Sequence, residues 1–166
     1  MPKTRYVSTV ALYDGCDWFE IAVGDTEWAK VDLVDIMLVL GCSWWVDDMG
    51  FARTASDERM HRVILGLPPK NPHVDHKNHD RLDNRRSNLR IVTQAQNNTN
   101  RRKRAGTSSR FKGVTWSKPR QKWEAQIQVD GWHRMLGRFA TEEEAARAYN
   151  QAALAAWGEF AFLNEV

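Results

Sequence analysis

The residues best equipped for chemistry in this chain are Asp75, His76, Asn88 and Asn97. They lie in a stretch from Val74 to Asn98 that is too polar for a core and too poor in breakers for a linker. Asp75 and Asn97 offer oxygen donors, the kind a hard cation such as Mg²⁺ takes, and two protein ligands leave positions for water and phosphate oxygens. His76, next to Asp75, would stand beside such a metal without binding it, and an ordinary imidazole pKa of about 6.5 suits proton abstraction near neutral pH. Asp75 and His76 also read as a plain strand-end pair, but their spacing to Asn88 and Asn97 favours a metal site. Asn88 reads equally as a satisfied loop amide.

To bring these residues together the chain needs a short strand at Val74 to His76, a long loop, a strand at Leu89 to Val92, and a helix. Thr93-Gln94-Ala95-Gln96 has the capping pattern that starts a helix near Gln94. Asp75 and His76 then lie on the first strand, Asn88 at the exit of the loop and Asn97 in the opening of the helix, so the three positions can converge. Upstream, Tyr6 to Val23 is broken by Asp14-Gly15 and Gly24-Asp25 and reads as strands and turns. Val31 to Leu40 has the spacing of a short helix stopped at Gly41. Ser43 to Val46 and Phe51 to Thr54 flank a hairpin-like turn, with Trp44 and Trp45 as core or hairpin-stapling indoles. Pro68-Pro69 breaks the chain after Met60 to Leu67.

The second part reads differently. Residues 101–110 have no apolar periodicity, carry five Lys/Arg and centre on small residues, the composition of a basic linker. Phe111 to Trp116, Lys122 to Val129 and Trp132 to Phe139 are aromatic and β-branched with turns between them, which predicts three antiparallel strands. Trp123, Ala125, Ile127 and Val129 alternate with polar residues, so one face of this sheet must be covered. The cover is a helix that opens at Thr141, with Glu144 completing a capping box, runs through small residues and ends at Gly158. The fold class is therefore α+β, with a three-stranded antiparallel sheet packed on one helix at its C-terminal end.

Charge supports the division. The 166 residues have a net charge of only +3, yet residues 1–50 hold 3 Lys/Arg against 9 Asp/Glu and residues 51–110 hold 14 against 5. A basic middle beside an acidic start has the look of a nucleic-acid footprint, with a solvated basic surface as the plainer alternative. Within the last part, residues 111–138 carry 6 basic and 2 acidic side chains and residues 139–166 carry 1 and 5, so phosphate would meet the sheet rather than the helix. Cys16 and Cys42 cannot make a four-ligand zinc site, so no structural zinc is expected. The longest apolar run, Ile36 to Cys42, is far short of the ~20 residues that span a bilayer. The expectation is a soluble, cytoplasmic protein of a bacterium or a phage-infected cell, neither secreted nor membrane-bound.

Asp75-His76, Asn88 and Asn97, with Leu82-Asp83-Asn84-Arg85 and Ser87-Asn88-Leu89-Arg90 between them, resemble the ββα-metal motif of HNH endonucleases, especially phage-type homing endonucleases. Trp45-Val46-Asp47, Gly50-Phe51-Ala52 and Met60 to Gly66 are similar to the run-in of those enzymes, so the likeness covers roughly residues 29–101. It implies His76 as the base, Asn88 as a brace that orients the histidine, and Asp75 and Asn97 as ligands of Mg²⁺ or Mn²⁺. Asn97 stands where many HNH proteins have His. His61, Arg62 and Arg85 are candidate DNA contacts, a packed histidine being the other reading at 61.

Phe111-Lys112-Gly113-Val114, Trp123 to Ile127, Leu136 to Phe139, Thr141 to Tyr149 and Gly158 to Ala161 resemble a second family, the Apetala-two (ERF-type) DNA-binding domain. That likeness implies a sheet laid in the major groove, with Lys112, Thr115, Gln126, Gln128, His133 and Met135 at the DNA-reading positions. Arg101, Arg102, Lys103 and Arg104 would follow the duplex backbone. The domains are then 1–100, a nuclease domain whose first 30 residues are poorly assigned; 101–110, the linker; and 111–166, the reader. The function implied is a site-specific, metal-dependent endonuclease on double-stranded DNA. It would leave 5′-phosphate and 3′-hydroxyl ends and nick as a monomer. The rival is a DNA-binding regulator that has lost catalysis, against which the presence of Asp75, His76 and Asn97 counts. A nuclease for structured RNA would use the same site.

Overall fold

The computed structural model describes residues 10–12, 15–101, 103 and 106–166. The chain forms two compact units that divide after Thr93. Both mix short helices with small antiparallel sheets, and among the described residues no helix is long and apolar enough to cross a membrane.

The first unit opens with an antiparallel sheet of β1 (Val10–Leu12), β2 (Trp18–Val23) and β3 (Glu27–Asp32). In β2 Phe19, Ile21 and Val23 are buried while Trp18, Glu20 and Ala22 are only partly so, the alternation of a strand with one face on a core. That core also takes in Ala29, Val31, Val39, Trp44, Ala52, Met60, Ile64 and Leu89. The helix expected over 31 to 40 is shorter than its spacing suggested. Val31 and Asp32 finish β3, Leu33–Asp35 is a tight 3₁₀ turn, and only α1 (Ile36–Val39) is α-helical. Val31 is recruited by pairing with Phe19 across the sheet, a tertiary demand that overrides local periodicity. Trp44 is buried and gives its indole N–H to the Val39 carbonyl, whereas Trp45 is 39% exposed.

A two-residue hairpin, β4 (Trp45–Val46) with β5 (Ala52–Arg53), leads into α2 (Met60–Ile64). Then β6 (His73–His76) pairs antiparallel with β7 (Leu89–Val92) around a long loop. The loop is fastened to the first sheet: Lys30 N–H donates to Leu82 O and Asn84 N–H to Lys30 O, each at 2.8 Å.

The second unit begins with α3 (Gln94–Thr99), whose Thr99 hydroxyl donates to Phe160 O at 2.8 Å. Its sheet has the order β10 (Trp132–Phe139), β9 (Lys122–Val129), β8 (Val114–Ser117), with α4 (Glu142–Trp157) across one face. The strand expected from Phe111 starts later, because Gly113 turns the chain at φ +75°. A β-carbon there would meet the Tyr149 ring at 2.0 Å and Gln126 O at 2.7 Å, so only glycine lets the chain pass beneath the helix. α4 buries Tyr149 and the small residues Ala145, Ala146 and Ala153, which bring it close to Val114, Ala125 and Ile127. Its start has the reciprocal cap: Glu144 N–H donates to Thr141 Oγ1 and Thr141 N–H to Glu144 Oε2, both at 3.2 Å.

Candidate active site

Register places Asp75 opposite Arg90 and His76 opposite Leu89, at the end of the hairpin where the loop departs. Asp75 and His76 are both buried. The Arg90 guanidinium, itself only 10% exposed, gives Nε–H and Nη2–H to Asp75 Oδ2 at 2.9 and 2.7 Å. A carboxylate held in this way is fixed in direction.

The loop is a network of side-chain amides and carboxylates. Asn88 Oδ1 accepts from Asn78 N–H at 3.0 Å and its Nδ2 donates to Asp83 O at 2.8 Å, so the whole amide is spent on closing the loop. The group that touches the histidine is Asn84, fully buried, whose Oδ1 lies 3.3 Å from His76 Nε2. Asn84 Nδ2 donates to Leu82 O at 3.2 Å, which turns its carbonyl oxygen toward the ring. Nε2 is therefore the protonated nitrogen and Nδ1 keeps its lone pair. Burial pushes the His76 pKa below the ordinary value, and the Asn84 bond with the charges of Asp75, Asp80 and Asp83 offsets only part of that. The imidazole is thus neutral at physiological pH.

Two further rings surround it. His61 meets His76 edge-on with centroids 5.2 Å apart, and Phe51 lies 5.2 Å from His61 and 5.8 Å from His76. His61 is 4% exposed, and burial first, then the neighbouring His76, Arg59 and Arg62, pull its pKa down to about 3.

Several arginines that composition marks as basic surface serve the loop instead. Arg86 gives Nε–H and Nη2–H to the two carboxylate oxygens of fully buried Asp35 at 2.8 and 2.7 Å, a third bond to Ile64 O, and its backbone N–H to Asp32. Arg85 forks onto Asp83 at 2.8 and 2.7 Å and lies over the Trp18 ring. Burial raises the Asp83 pKa, but the Arg85 bonds and charge and the Asn78 amide outweigh it, and the carboxyl stays below its ordinary value. Of the other candidate DNA contacts in this unit, His61 and Arg62 both sit inside it. Arg62 donates to Pro68 O at 2.6 Å and Pro72 O at 3.0 Å. Sequence reasoning gave Asn84, Asp83 and Asp35 no role of their own. The one signal for Asp83 and Asn84 was that they follow Leu82, an apolar residue alone in a polar loop.

In the second unit the register sorts the proposed readers. Gln126 pairs with Met135, Gln128 with His133 and Thr115 with Glu124, which places all of these on the sheet face away from α4, with Arg138 opposite Glu124. Gln126, Gln128, His133 and Met135 are exposed. Lys112 departs from the expected set. Its ammonium donates to Thr99 O at 2.6 Å and Arg101 O at 2.7 Å, lies over Phe162, and burial lowers its pKa to about 8. Lys103 is likewise committed, to Phe111 O at 2.6 Å and Val114 O at 2.8 Å. Arg101 is exposed, Arg102 and Arg104 lie outside the described residues, and Asn97 is on α3.

Among the described residues no three His, Cys, Asp or Glu side chains gather as a metal-holding group. The donor chemistry still fits a hard cation, which takes one or two carboxylates and completes its shell with water and phosphate oxygens. Asp75, oriented by Arg90 beside a neutral imidazole, is such a carboxylate.

A neutral imidazole with one fixed tautomer beside an anchored carboxylate is the equipment of a hydrolase. The family model described as HNH endonuclease matches residues 59–99, the span that holds His61, Asp75, His76, Asn84, Asn88 and Asn97. An uncharacterized HNH endonuclease of Acanthamoeba polyphaga mimivirus is 31% identical over 150 residues, 86% of this chain and 78% of the relative. Protein 3.8 of Escherichia phage T7 is 30% identical over 66 residues, 40% of this chain and 54% of that protein. No solved structure matches. The chain belongs to the HNH endonucleases, DNA-cleaving hydrolases that generally use a divalent metal.

Proposed function

We propose that the protein is a metal-dependent, site-specific DNA endonuclease of the homing type, nicking one strand as a monomer. The observation that carries this reading is His76: buried, neutral, its Nε2–H held by Asn84, its Nδ1 unprotonated, and its neighbour Asp75 locked by Arg90. His76 Nδ1 takes the proton of the attacking water. Asn84 fixes the ring and, through its carbonyl, steadies the imidazolium that forms. Asp75 would hold the cation, Mg²⁺ or Mn²⁺, with Asn97 as a second oxygen donor; Asn97 enters from the sequence pattern alone. Bound there, a divalent ion would supply charge stabilisation to the phosphoryl oxygens and the leaving 3′ oxygen. The products are a 5′-phosphate and a 3′-hydroxyl.

The second unit, residues 111–166 with α3 and the 101–110 segment before it, serves as the reader. Its open face of Thr115, Gln126, Gln128, His133 and Met135 supports docking in a major groove, as in the Apetala-two type it resembles. The test is nicking of supercoiled plasmid with and without chelator, by the wild type and His76→Ala, with duplex binding measured alongside. Nicking should require the metal and fall about 10²- to 10⁴-fold in the variant while binding holds. Undiminished metal-dependent nicking by His76→Ala would remove His76 as the base.

A further inference from the structure

Beside His76 the first unit carries a feature that the base, its carboxylate and the loop braces leave unexplained. Two guanidiniums from separate segments lie over the ring of Phe51: Arg59, just ahead of α2, with its central carbon 4.5 Å from the centroid, and Arg81, in the β6–β7 loop, at 4.7 Å. The same ring packs on His61 and His76. Arg81 is exposed and donates from Nη1 to Met49 O. Arg59, one-third exposed, reaches Asp47 Oδ2 at 3.2 Å and Met49 Sδ at 3.5 Å. Each guanidinium is thereby held over an aromatic ring with most of its N–H groups unspent among the described residues.

Among the described residues Asp47 is the one carboxylate paired to either arginine, and it also accepts the backbone N–H groups of Met49 and Phe51. Asp80, next to Arg81, spends Oδ1 on Leu82 N–H. Two guanidiniums on one ring thus share a single paired carboxylate among the described residues, while Asp75, Asp80 and Asp83 are the charges that act on the imidazole itself. Elsewhere in this unit Arg62, Arg85, Arg86 and Arg90 give their guanidinium donors to interior carbonyls and carboxylates. Arg59 and Arg81 differ in having planar donors to spare, and that is the fork geometry that grips phosphate oxygens in pairs.

We propose that Arg59 and Arg81, stacked on Phe51, form a clamp for one backbone phosphodiester of the DNA strand that His76 attacks. The proposal rests on the nuclease reading above and adds the group that sets the strand's position at the base. The phosphates of one strand recur about every 3.4 Å of duplex axis, so a clamp one ring away from His76 engages a phosphate within a few nucleotides of the cut. Phe51 is then the common platform: it fixes the clamp and the imidazole relative to each other, and misplacing a bound phosphate by about 1 Å is enough to cost ~10²-fold in rate.

The test uses the full chain and a short random-sequence duplex, with binding measured in EDTA so that cleavage plays no part. The Arg59→Gln/Arg81→Gln double variant should bind at least tenfold more weakly at low salt. Its plot of log K against log salt should be shallower by about 1, the contribution of one neutralised phosphate. Arg147→Gln, an exposed arginine on α4, should match the wild type in slope. If the double variant fails to keep a wild-type melting profile, Arg81→Gln alone carries the test, with a loss of about fivefold; Arg81 is exposed and, besides the Phe51 ring, makes one side-chain hydrogen bond among the described residues. Wild-type affinity and slope in a folded variant overturn the clamp even if the protein nicks DNA. Weakened binding in the variant of a protein that never nicks would leave the clamp standing and overturn the nuclease reading.

Discussion

In the first unit Arg85, Arg86 and Arg90 each fork onto a carboxylate, those of Asp83, Asp35 and Asp75, and all three carboxylates are buried. On the sheet of the second unit the polar side chains face solvent. Gln128 caps its own turn at Gly131 O, Arg138 pairs with Glu124 at the surface, and Gln126 and His133 make no side-chain bond to another described residue. One region spends its polar groups on holding a loop rigid; the other leaves them available to a partner. Catalysis needs groups fixed to within a fraction of an ångström, whereas a surface that reads a groove needs donors and acceptors free to be satisfied by bases. The net charge of +3 conceals this division, because it adds arginines that are structural to arginines that can meet phosphate.

The comparison is broken most severely at Arg86. Arg86→Ala leaves Asp35, 1% exposed, as an unpaired charge in the interior and removes the donor to Ile64 O. The expected loss is about 3 kcal/mol, the lower part of the range for breaking a buried pair because Arg86 itself is half-exposed. Urea unfolding measures it, and Asp35→Asn placed in the same chain should recover part of the loss, since the stranded charge is then gone. Arg138→Ala, the corresponding change on the sheet face, should leave the unfolding midpoint close to wild type because its pair is exposed. Equal losses at the two sites would erase the distinction between braced and open regions.

Arg86 also shows where the sequence was legible and where it was not. Asp75-His76 and the strand–loop–strand order are local patterns, and the structure has them where the pattern put them. The sheet of the second unit and its capped helix are local in the same way. The partners of the loop are not local. Asp35 and Arg86 are 51 positions apart, and nothing in either neighbourhood announces the other. The acidic start of the chain reads by composition as a part that avoids phosphate, yet Asp32 and Asp35 in it hold Arg86 of the β6–β7 loop. Asn84 hides for a different reason: which amide of a loop rich in them faces the histidine depends on how the loop closes. Charge alone did not show how Lys103 and Lys112 are placed, because an ammonium can be spent on carbonyl oxygens as readily as on phosphate, and both donate to backbone carbonyls.

A second prediction sharpens the contrast through pH. His61 is neutral in the fold, with a pKa of about 3, and an unfolded histidine protonates near 6.5. The unfolded chain therefore binds the extra proton first as pH falls. The stability this site supports is complete above about pH 6.5 and is lost progressively toward pH 3. By pH 4.5 the cost is about 2 to 3 kcal/mol. His61→Phe keeps a ring against His76 and Phe51 and removes the titration. The stability of this variant should fall less steeply between pH 7 and 4.5 than that of the wild type, read from urea midpoints across the range. Identical slopes would mean that the His61 ring takes up its proton without leaving the fold.

The smallest expected effect is on the open face, and it is the one that tests what openness is for. Gln126 lies mid-strand in β9, exposed, opposite Met135, with its backbone tied to Gly113 and its amide free of any described partner. Removing the amide costs the isolated protein almost nothing, because no bond is broken and no cavity is made; surface changes of this kind stay within about ±0.5 kcal/mol. If the amide meets a base edge, Gln126→Ala should weaken binding to the cognate site by about 1 to 2 kcal/mol while leaving binding to random duplex unchanged, since a base contact discriminates and a phosphate contact does not. That pattern is the inverse of the Arg86 variant, which loses stability before it loses recognition. Competition between cognate and random duplexes at fixed salt measures it, the cognate site being mapped first from the position of the nick. Equal weakening on both duplexes would make Gln126 a backbone contact, and the sheet face an electrostatic cradle rather than a reader.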